Sequence, residues 1–454
     1  MTVEILVLAA GEGKRMRSAL PKVLHTLAGR PLLQHVLDTA RSLQPDSCHV
    51  VVGHGAGAVR EALAANPVNW VPQSEQLGTG HAVIQALPAV DDTATVLVLY
   101  GDVPLVPAQS LRELMVAAQD GAALLTAQVV DPTGYGRILR DENAELTGVV
   151  EEKDASTEQR QICEINSGIL AAPARLLKEW LPRVENNNAQ GEYYLPDVLA
   201  LSVAEGRPVK TVLAANELDI LGVNDRVQLN LLEREYQYRQ ALALLHAGTG
   251  LADAGRLDIR GELTCAEEVF IDVNVVIEGW VNLGRDCTIG ANCVLIDCTI
   301  GDGVEVKPFS HLEGVVVGDD CVIGPFARLR PDTVLEQGVR IGNFVETKKS
   351  RIGQGSKVNH LSYIGDCSMG AGVNIGAGTI TCNYDGANKS PTTIGDGVFV
   401  GSNSTLVAPL QIEQGGFIGA GSIITKPVAE DQLAISRSRQ RNLDGWNRPV
   451  KKDT

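Results

Sequence analysis

The chain has 454 residues, 44% of them hydrophobic and 21% charged, which is enough for two or three cored domains of ordinary globular composition. Its net charge of −16 argues against a general nucleic-acid or anionic-membrane surface, so an anionic ligand has to be held by local clusters of Lys and Arg. No apolar stretch is long enough to cross a bilayer, and the N-terminus has neither the basic region nor the cleavage site of a signal peptide. The nine cysteines are odd in number and lack a Cys-x-x-Cys pair, which disfavours a disulfide framework or zinc site and points to a reducing cytoplasm.

The first half reads as alternating strands and helices. Short aliphatic runs at 3–10, 49–53 and 95–100 are separated by helix-like segments at 32–43 and 108–118, the pattern of an α/β sheet with crossover helices. The first run ends in Leu8-Ala9-Ala10-Gly11-Glu12-Gly13-Lys14-Arg15-Met16, with Pro21-Lys22 close behind. A glycine loop between strand and helix turns backbone N–H groups toward an anion, and Arg15 and Lys22 add charge where a triphosphate would lie. Gln73 and the string Gln76-Leu77-Gly78-Thr79-Gly80 offer amides, a hydroxyl and open backbone near a base. The run at 95–100 leads into Tyr100-Gly101-Asp102, putting a carboxylate at the carboxyl end of a buried strand, where such sheets bind ligands; a helix cap is the other role open to that Asp. Asn224 is the candidate for a second oxygen ligand, since Mg²⁺ commonly takes one or two protein oxygens and completes its shell with phosphate and water.

Residues 225–247 lack Gly and Pro and read as one long helix between the halves. Past residue 250 the pattern changes. Glycine rises to 28 of the 47 in the shorter part of the chain, and an aliphatic-Gly pair recurs, as at Ile289-Gly290, Ile300-Gly301, Ile323-Gly324, Ile341-Gly342 and Ile394-Gly395. A six-residue period of this kind is the signature of a parallel β-helix, with the aliphatic residue pointing inward and the glycine permitting the corner. Seven cysteines fall here, and Cys287, Cys293 and Cys321 occupy the small inward slot, as core residues rather than metal ligands. The stretch 426–454 loses the period and is basic; an arm packed outside and a solvated tail both fit it.

His360 lies at a corner of this repeat. A neutral imidazole accepts a proton from an attacking amine, and Glu346 is the candidate to orient the ring. Arg330, Lys348 and Tyr363 suit a sugar phosphate, and the small residues of 374–389 allow close approach to a thioester.

The chain resembles, over essentially its full length, the bacterial bifunctional N-acetylglucosamine-1-phosphate uridyltransferase/glucosamine-1-phosphate acetyltransferase family. Carrying the resemblance are the glycine string from Leu8, Gln76-Leu77-Gly78-Thr79-Gly80-His81-Ala82, Asp131-Pro132-Thr133-Gly134-Tyr135-Gly136-Arg137 and Asn186-Asn187-Asn188-Ala189-Gln190-Gly191-Glu192-Tyr193-Tyr194. It implies an α/β Rossmann-like nucleotidyltransferase domain at 1–224, a helical linker at 225–247, and a left-handed parallel β-helix acetyltransferase domain with a C-terminal arm at 248–454. By resemblance Leu8, Ala9, Ala10, Gly11, Gln73, Gly78, Thr79, Tyr100, Gly101 and Asp102 hold the uridine nucleotide, UTP. Gly136, Glu151 and Asn166 grip the sugar, Asp102 and Asn224 bind Mg²⁺, and Arg15 and Lys22 neutralise the phosphates. In the second half the resemblance makes His360 the general base. It puts Arg330, Lys348, Tyr363, Asn374 and Lys389 on the sugar phosphate, and Ala377, Asn383, Tyr384, Ser402, Ala420 and Arg437 on acetyl-CoA. Direct attack by the amine needs no Ser or Cys nucleophile, so Cys382 is a bystander. The β-helix also resembles that of hexapeptide acyltransferases, which form trimers with sites between subunits, and closed cyclic symmetry suits its flat faces, so a homotrimer is expected. Two other readings compete: a single-function pyrophosphorylase whose β-helix regulates or oligomerises, and a non-catalytic repeat scaffold.

Overall fold

The computed structural model describes residues 2–451. The chain divides into two compact units between Tyr236 and Gln237.

In the first unit the aliphatic runs become the centre of a sheet. Strands β1 (Val3–Ala9), β2 (Ser47–Val52), β3 (Asn69–Pro72) and β4 (Thr95–Tyr100) are mutually parallel in the order β4-β1-β2-β3. Alternate residues feed two separate cores, Ile5, Val7, Leu97 and Leu99 on one face and Leu6, Leu8, Val96 and Val98 on the other. Burial on both faces is why these strands read as unbroken apolar runs rather than as an alternation. Strand β5 (Ala122–Gln128), the hairpin β6 (Gly136–Arg140) and β7 (Leu146–Val150), β8 (Glu164–Pro173) and β9 (Val209–Leu213) extend the sheet to nine strands. β8 runs antiparallel to β4 and β5 and carries a bulge between Asn166 and Leu170. Helices α1 (Leu32–Ser42), α2 (Ala56–Ala62), α3 (Thr79–Ala86), α4 (Ala108–Ala117), α5 (Ala174–Trp180) and α6 (Asp197–Ala204) connect the strands.

The division between units falls inside α7 (Arg226–His246). In the first unit Tyr236 packs edge-on against His35 with ring centroids 5.0 Å apart. In the second, Gln237 donates to the Ile259 carbonyl at 2.9 Å and accepts from the Ile259 N–H at 2.7 Å, satisfying the backbone of an early rung.

The second unit is a parallel β-helix of the left-handed hexapeptide kind. One inward column runs Ile271, Ile289, Val306, Ile323, Ile341, Val358, Ile375, Val400, Ile418 through successive parallel pairs. The side chains of this column are buried, each contributing on the order of 2 kcal/mol of transfer free energy. Three six-residue sides make one turn, so neighbours in space are 17 or 18 residues apart in sequence. The step from Ile375 to Val400 is longer, and the excess forms a loop closed by an antiparallel bridge between Tyr384 and Lys389. Cys287, Cys293 and Cys321 are fully buried, with their thiols donating to the carbonyls of Gly301, Lys307 and Glu336. Burial pushes the Cys293 and Cys321 thiols up to about 11, so these sulfurs pack rather than react.

One corner carries Phe309, Phe326 and Phe344, all exposed and stacked at 5.0 and 5.3 Å, with Leu361 exposed on the next rung. All four have positive φ, an uncommon conformation for bulky residues, imposed by the corner. Beyond Ala434 the chain forms no strand as far as residue 451 and is exposed throughout. Arg437 is tied back by a 2.6 Å hydrogen bond to the Ala420 carbonyl.

Candidate active sites

The first site sits where β1 and β4 end side by side, with Leu8 opposite Tyr100. The Gly101 N–H donates to the Leu8 carbonyl at 2.9 Å, which turns the following carboxylate, Asp102, across the strand ends. Val223 donates to the Asp102 carbonyl at 2.9 Å and brings Asn224 alongside. Lys22, on a short helical turn after Pro21, makes an ion pair with Asp102, and its Nζ lies 3.3 Å from Asn224 Oδ1. Two hard oxygen donors thus converge on one cation. Among the described residues no group of three or more His, Cys, Asp or Glu side chains is disposed to hold a metal.

Lys22 and Asp102 open onto a cleft of about 240 Å³ whose lining also includes Leu8, Ala9, Ala10, Gly11, Gln73, Gly78, Thr79 and Tyr100, with Gly101 and Asn224 just outside that lining. Sequence-predicted nucleotide residues therefore meet in one cavity. Gly78 starts α3 with φ +110°, and a Cβ there would stand 2.6 Å from the Tyr193 carbonyl oxygen, so only glycine fits. The Thr79 hydroxyl accepts from the Leu195 N–H at 3.0 Å. Burial pushes the Tyr100 phenol well up, partly offset by its hydrogen bond to Thr79. Arg15 is not among the cleft residues: it is exposed on the turn Lys14–Met16.

Gly136, Glu151 and Asn166 also come together. Asn166 pairs with Gly136 across β8 and β6, and a Cβ on Gly136 would stand 2.9 Å from Glu151 Oε1. The Glu151 carboxyl is held above the usual range by burial, then by the neighbouring Asp197 and Asp154, with a hydrogen bond from Asn166 acting the other way. Asp197 itself is pushed up to about 6 by burial and Asp154. The acidic pair Asp154 and Asp197 was not anticipated from sequence; they lie 43 positions apart, and only the packing of α6 beside β7 unites them.

The second site follows the rungs. Asn343 lies opposite His360 on the rung before it, and its Oδ1 is 3.0 Å from His360 Nδ1. The expectation that Glu346 orients this ring is corrected. Glu346 sits opposite Tyr363 and accepts instead from Arg330 Nη1 at 2.8 Å. The reason is register: the residue below a given side chain is 17 positions earlier, which for His360 is Asn343. His360 itself is exposed.

Lys348 lies opposite Gly365, over which the Tyr363 hydroxyl is folded. The Lys348 ammonium is held below its usual range by the adjacent Lys389 ammonium, then by partial loss of water and by Arg330. Three cations that repel one another across a small space suit a dianionic phosphate. Asn383 donates to Asp366, anchoring the inserted loop; Tyr384, beyond it, donates to the Gly386 carbonyl at 2.6 Å. Asn374 is half-buried on a neighbouring face. Ala377, Ser402 and Ala420 stack on successive rungs of one corner, through the Asn403 N–H on the Ala377 carbonyl (2.7 Å) and the Gly421 N–H on the Ser402 carbonyl (2.8 Å).

The sequence pattern of a MobA-like NTP transferase domain matches residues 5–162, that of a GMPPB C-terminal domain residues 259–343, and that of a hexapeptide repeat of succinyl-transferase residues 391–426. Proteins named "Bifunctional protein GlmU" resemble the chain from end to end. That of Marinobacter nauticus is 55% identical over 451 residues, 99% of each chain. That of Pseudomonas putida (strain GB-1) is 54% identical over 452 residues, 99% of each. That of Alkalilimnicola ehrlichii is 55% identical over 447 residues, 98% of this chain and 96% of the relative.

Proposed function

The chain belongs to the bifunctional GlmU family, and from that premise we infer that its two units catalyse consecutive steps toward UDP-N-acetylglucosamine. The second unit acetylates glucosamine-1-phosphate with acetyl-CoA; the first joins the product to UMP from UTP and releases pyrophosphate. The observation that carries this reading is the pair of chemically distinct constellations, Lys22-Asp102-Asn224 at strand ends and His360-Asn343 beside the Arg330, Lys348 and Lys389 cations.

In acetyl transfer the glucosamine nitrogen attacks the thioester carbonyl. Asn343 Oδ1 accepts from His360 Nδ1, which leaves Nε2 unprotonated and able to take the proton of that amine. The C–S bond breaks and the departing CoA sulfur recovers a proton. Arg330, Lys348, Tyr363, Asn374 and Lys389 hold the sugar phosphate, while Ala377, Asn383, Tyr384, Ser402, Ala420 and Arg437 receive acetyl-CoA.

In uridyl transfer a phosphate oxygen of N-acetylglucosamine-1-phosphate attacks the α-phosphorus of UTP, and the bond to pyrophosphate breaks. Such chemistry needs positioning and charge neutralisation more than a base. Leu8, Ala9, Ala10, Gly11, Gln73, Gly78, Thr79, Tyr100, Gly101 and Asp102 position the nucleotide, and Gly136, Glu151 and Asn166 the sugar. Lys22 and Arg15 counter phosphate charge. The Asp102 and Asn224 oxygens fit Mg²⁺, since both already face a cation and both are hard donors. Bound there, Mg²⁺ supplies further charge neutralisation at the phosphates.

The exposed ridge of Phe309, Phe326, Phe344 and Leu361 supports a homotrimer, because a monomer would leave that apolar corner in water. Free cysteines throughout and nucleotide and CoA substrates support a cytoplasmic setting; among the described residues no helix is long and apolar enough to cross a membrane.

The test is a pair of variants assayed for released CoA and released pyrophosphate. Lys22→Ala is expected to lower uridyl transfer by about 10³ and spare acetyl transfer; His360→Ala does the reverse by at least 10³. Equal loss of both activities in either variant sinks the two-site reading.

A further inference from the structure

We propose that His81 is a positioning residue that sets the base selectivity of the nucleotide cleft by deciding which end of the Gln73 amide faces the base; the inference rests on the reading of that cleft as a uridine site. Gln73 is only 3% exposed, yet it lines the cleft. Its Nε2 donates to the Gly78 carbonyl at 3.3 Å and lies 3.0 Å from His81 Nδ1. A carbonyl only accepts, so the NH₂ end is the one facing Gly78 and His81. Oε1 makes no hydrogen bond to protein among the described residues and is the end left for the ligand.

That polarity selects. Uracil offers an N3–H between two carbonyls, which an amide oxygen accepts. Cytosine offers a bare N3 there, and two lone pairs would meet. A site whose buried polar group is left facing a like group rejects the wrong ligand strongly. Gly78 alone is a weak guide, because its carbonyl also accepts the Ala82 N–H at 3.1 Å. His81 provides the shorter hold.

The imidazole is steered in turn. For Nδ1 to accept from Gln73, the ring proton sits on Nε2, whose neighbour at 3.2 Å is Nε2 of the Gln85 amide, an end that only donates. Gln85 is on α3 and outside the cleft lining. A neutral imidazole has one lone pair, and with Gln73 Nε2 held by the Gly78 carbonyl it is the Gln85 amide that turns over; its oxygen then takes Nε2–H and locks the tautomer that His81 needs.

The experiment is steady-state uridyl transfer by the full-length protein with UTP and with CTP, released CoA in the acetyl-transfer assay serving as the control for folding. In His81→Leu the KM for UTP is expected to rise about tenfold with kcat changed less than threefold, and the UTP-over-CTP preference in kcat/KM to fall at least tenfold. His81→Asn, whose Oδ1 replaces Nδ1 as acceptor, regains the preference to within about threefold. Gln85→Lys sets a donor against Nε2, drives the proton to Nδ1 and lowers the preference; Gln85→Glu retains it. An unchanged preference in His81→Leu, an absent rescue by His81→Asn, or equal behaviour of the two Gln85 variants overturns the proposal. If His81→Leu does not fold, the Gln85 pair decides alone. Wild-type protein that uses CTP as readily as UTP overturns the uridine reading instead.

Discussion

Asn343 shows how a neutral side chain does the work often assigned to a carboxylate. Holding the proton on Nδ1 of His360 fixes the tautomer without adding a negative charge next to the proposed phosphate site. Asn343→Leu is therefore expected to lower kcat for acetyl transfer by about 10–100-fold with pyrophosphate release unchanged, measured by thiol titration of CoA. Asp197 carries a second prediction. Its carboxyl is raised to about 6 from an ordinary 3.8, so the folded protein binds this proton more tightly than the unfolded chain does. That contribution to stability is present at low pH and is lost as pH rises through about 6. Asp197→Asn should consequently raise the melting temperature at pH 8 and bring little or no gain at pH 4, checked by thermal denaturation across that range. Neither residue announces itself in sequence. Asn343 becomes visible only once the step between stacked side chains is counted as 17 rather than six. Asp197 lies far along the chain from Asp154 and Glu151, the acids that surround it.

At the scale of elements, legibility tracked how strictly physics limits the choice of residue. The β1 and β4 runs were readable because a strand buried on both faces tolerates little but aliphatic residues. The hexapeptide corners were readable because aliphatic-then-glycine recurs at most turns of the coil. The turn into α3 was legible as a string but not as a shape, since nothing in Gln76-Leu77-Gly78 declares that Tyr193 packs over it. Gly78→Ala probes that shape. With φ at +110° and the Tyr193 carbonyl 2.6 Å from any Cβ, the substitution should cost about 1–3 kcal/mol and raise the KM for UTP at least tenfold. Chemical denaturation and initial rates measure the two effects. The inserted loop at 384–389 is a different case, detectable in sequence as a break in period and intelligible as a closed turn only when the bridge from Tyr384 to Lys389 is seen.

For the whole molecule, fusion of two enzymes makes the product of one half the substrate of the other. The assembly is the matter most open to direct measurement. Light scattering should return three times the 48.3 kDa of one chain, and Phe344→Asp, which sets a charge into the stacked ridge, should shift the mass toward a single chain. The corner formed by Ala377, Ser402 and Ala420 has a metrical consequence. Parallel strands stack at about 4.8 Å, so those three residues are marks on a ruler, with about 10 Å from first to last. On the proposed reading, a thread-like acyl carrier laid along that corner is gauged in whole rungs, and lengthening the coil by one rung there would displace the far mark by one graduation while leaving every local turn as it was.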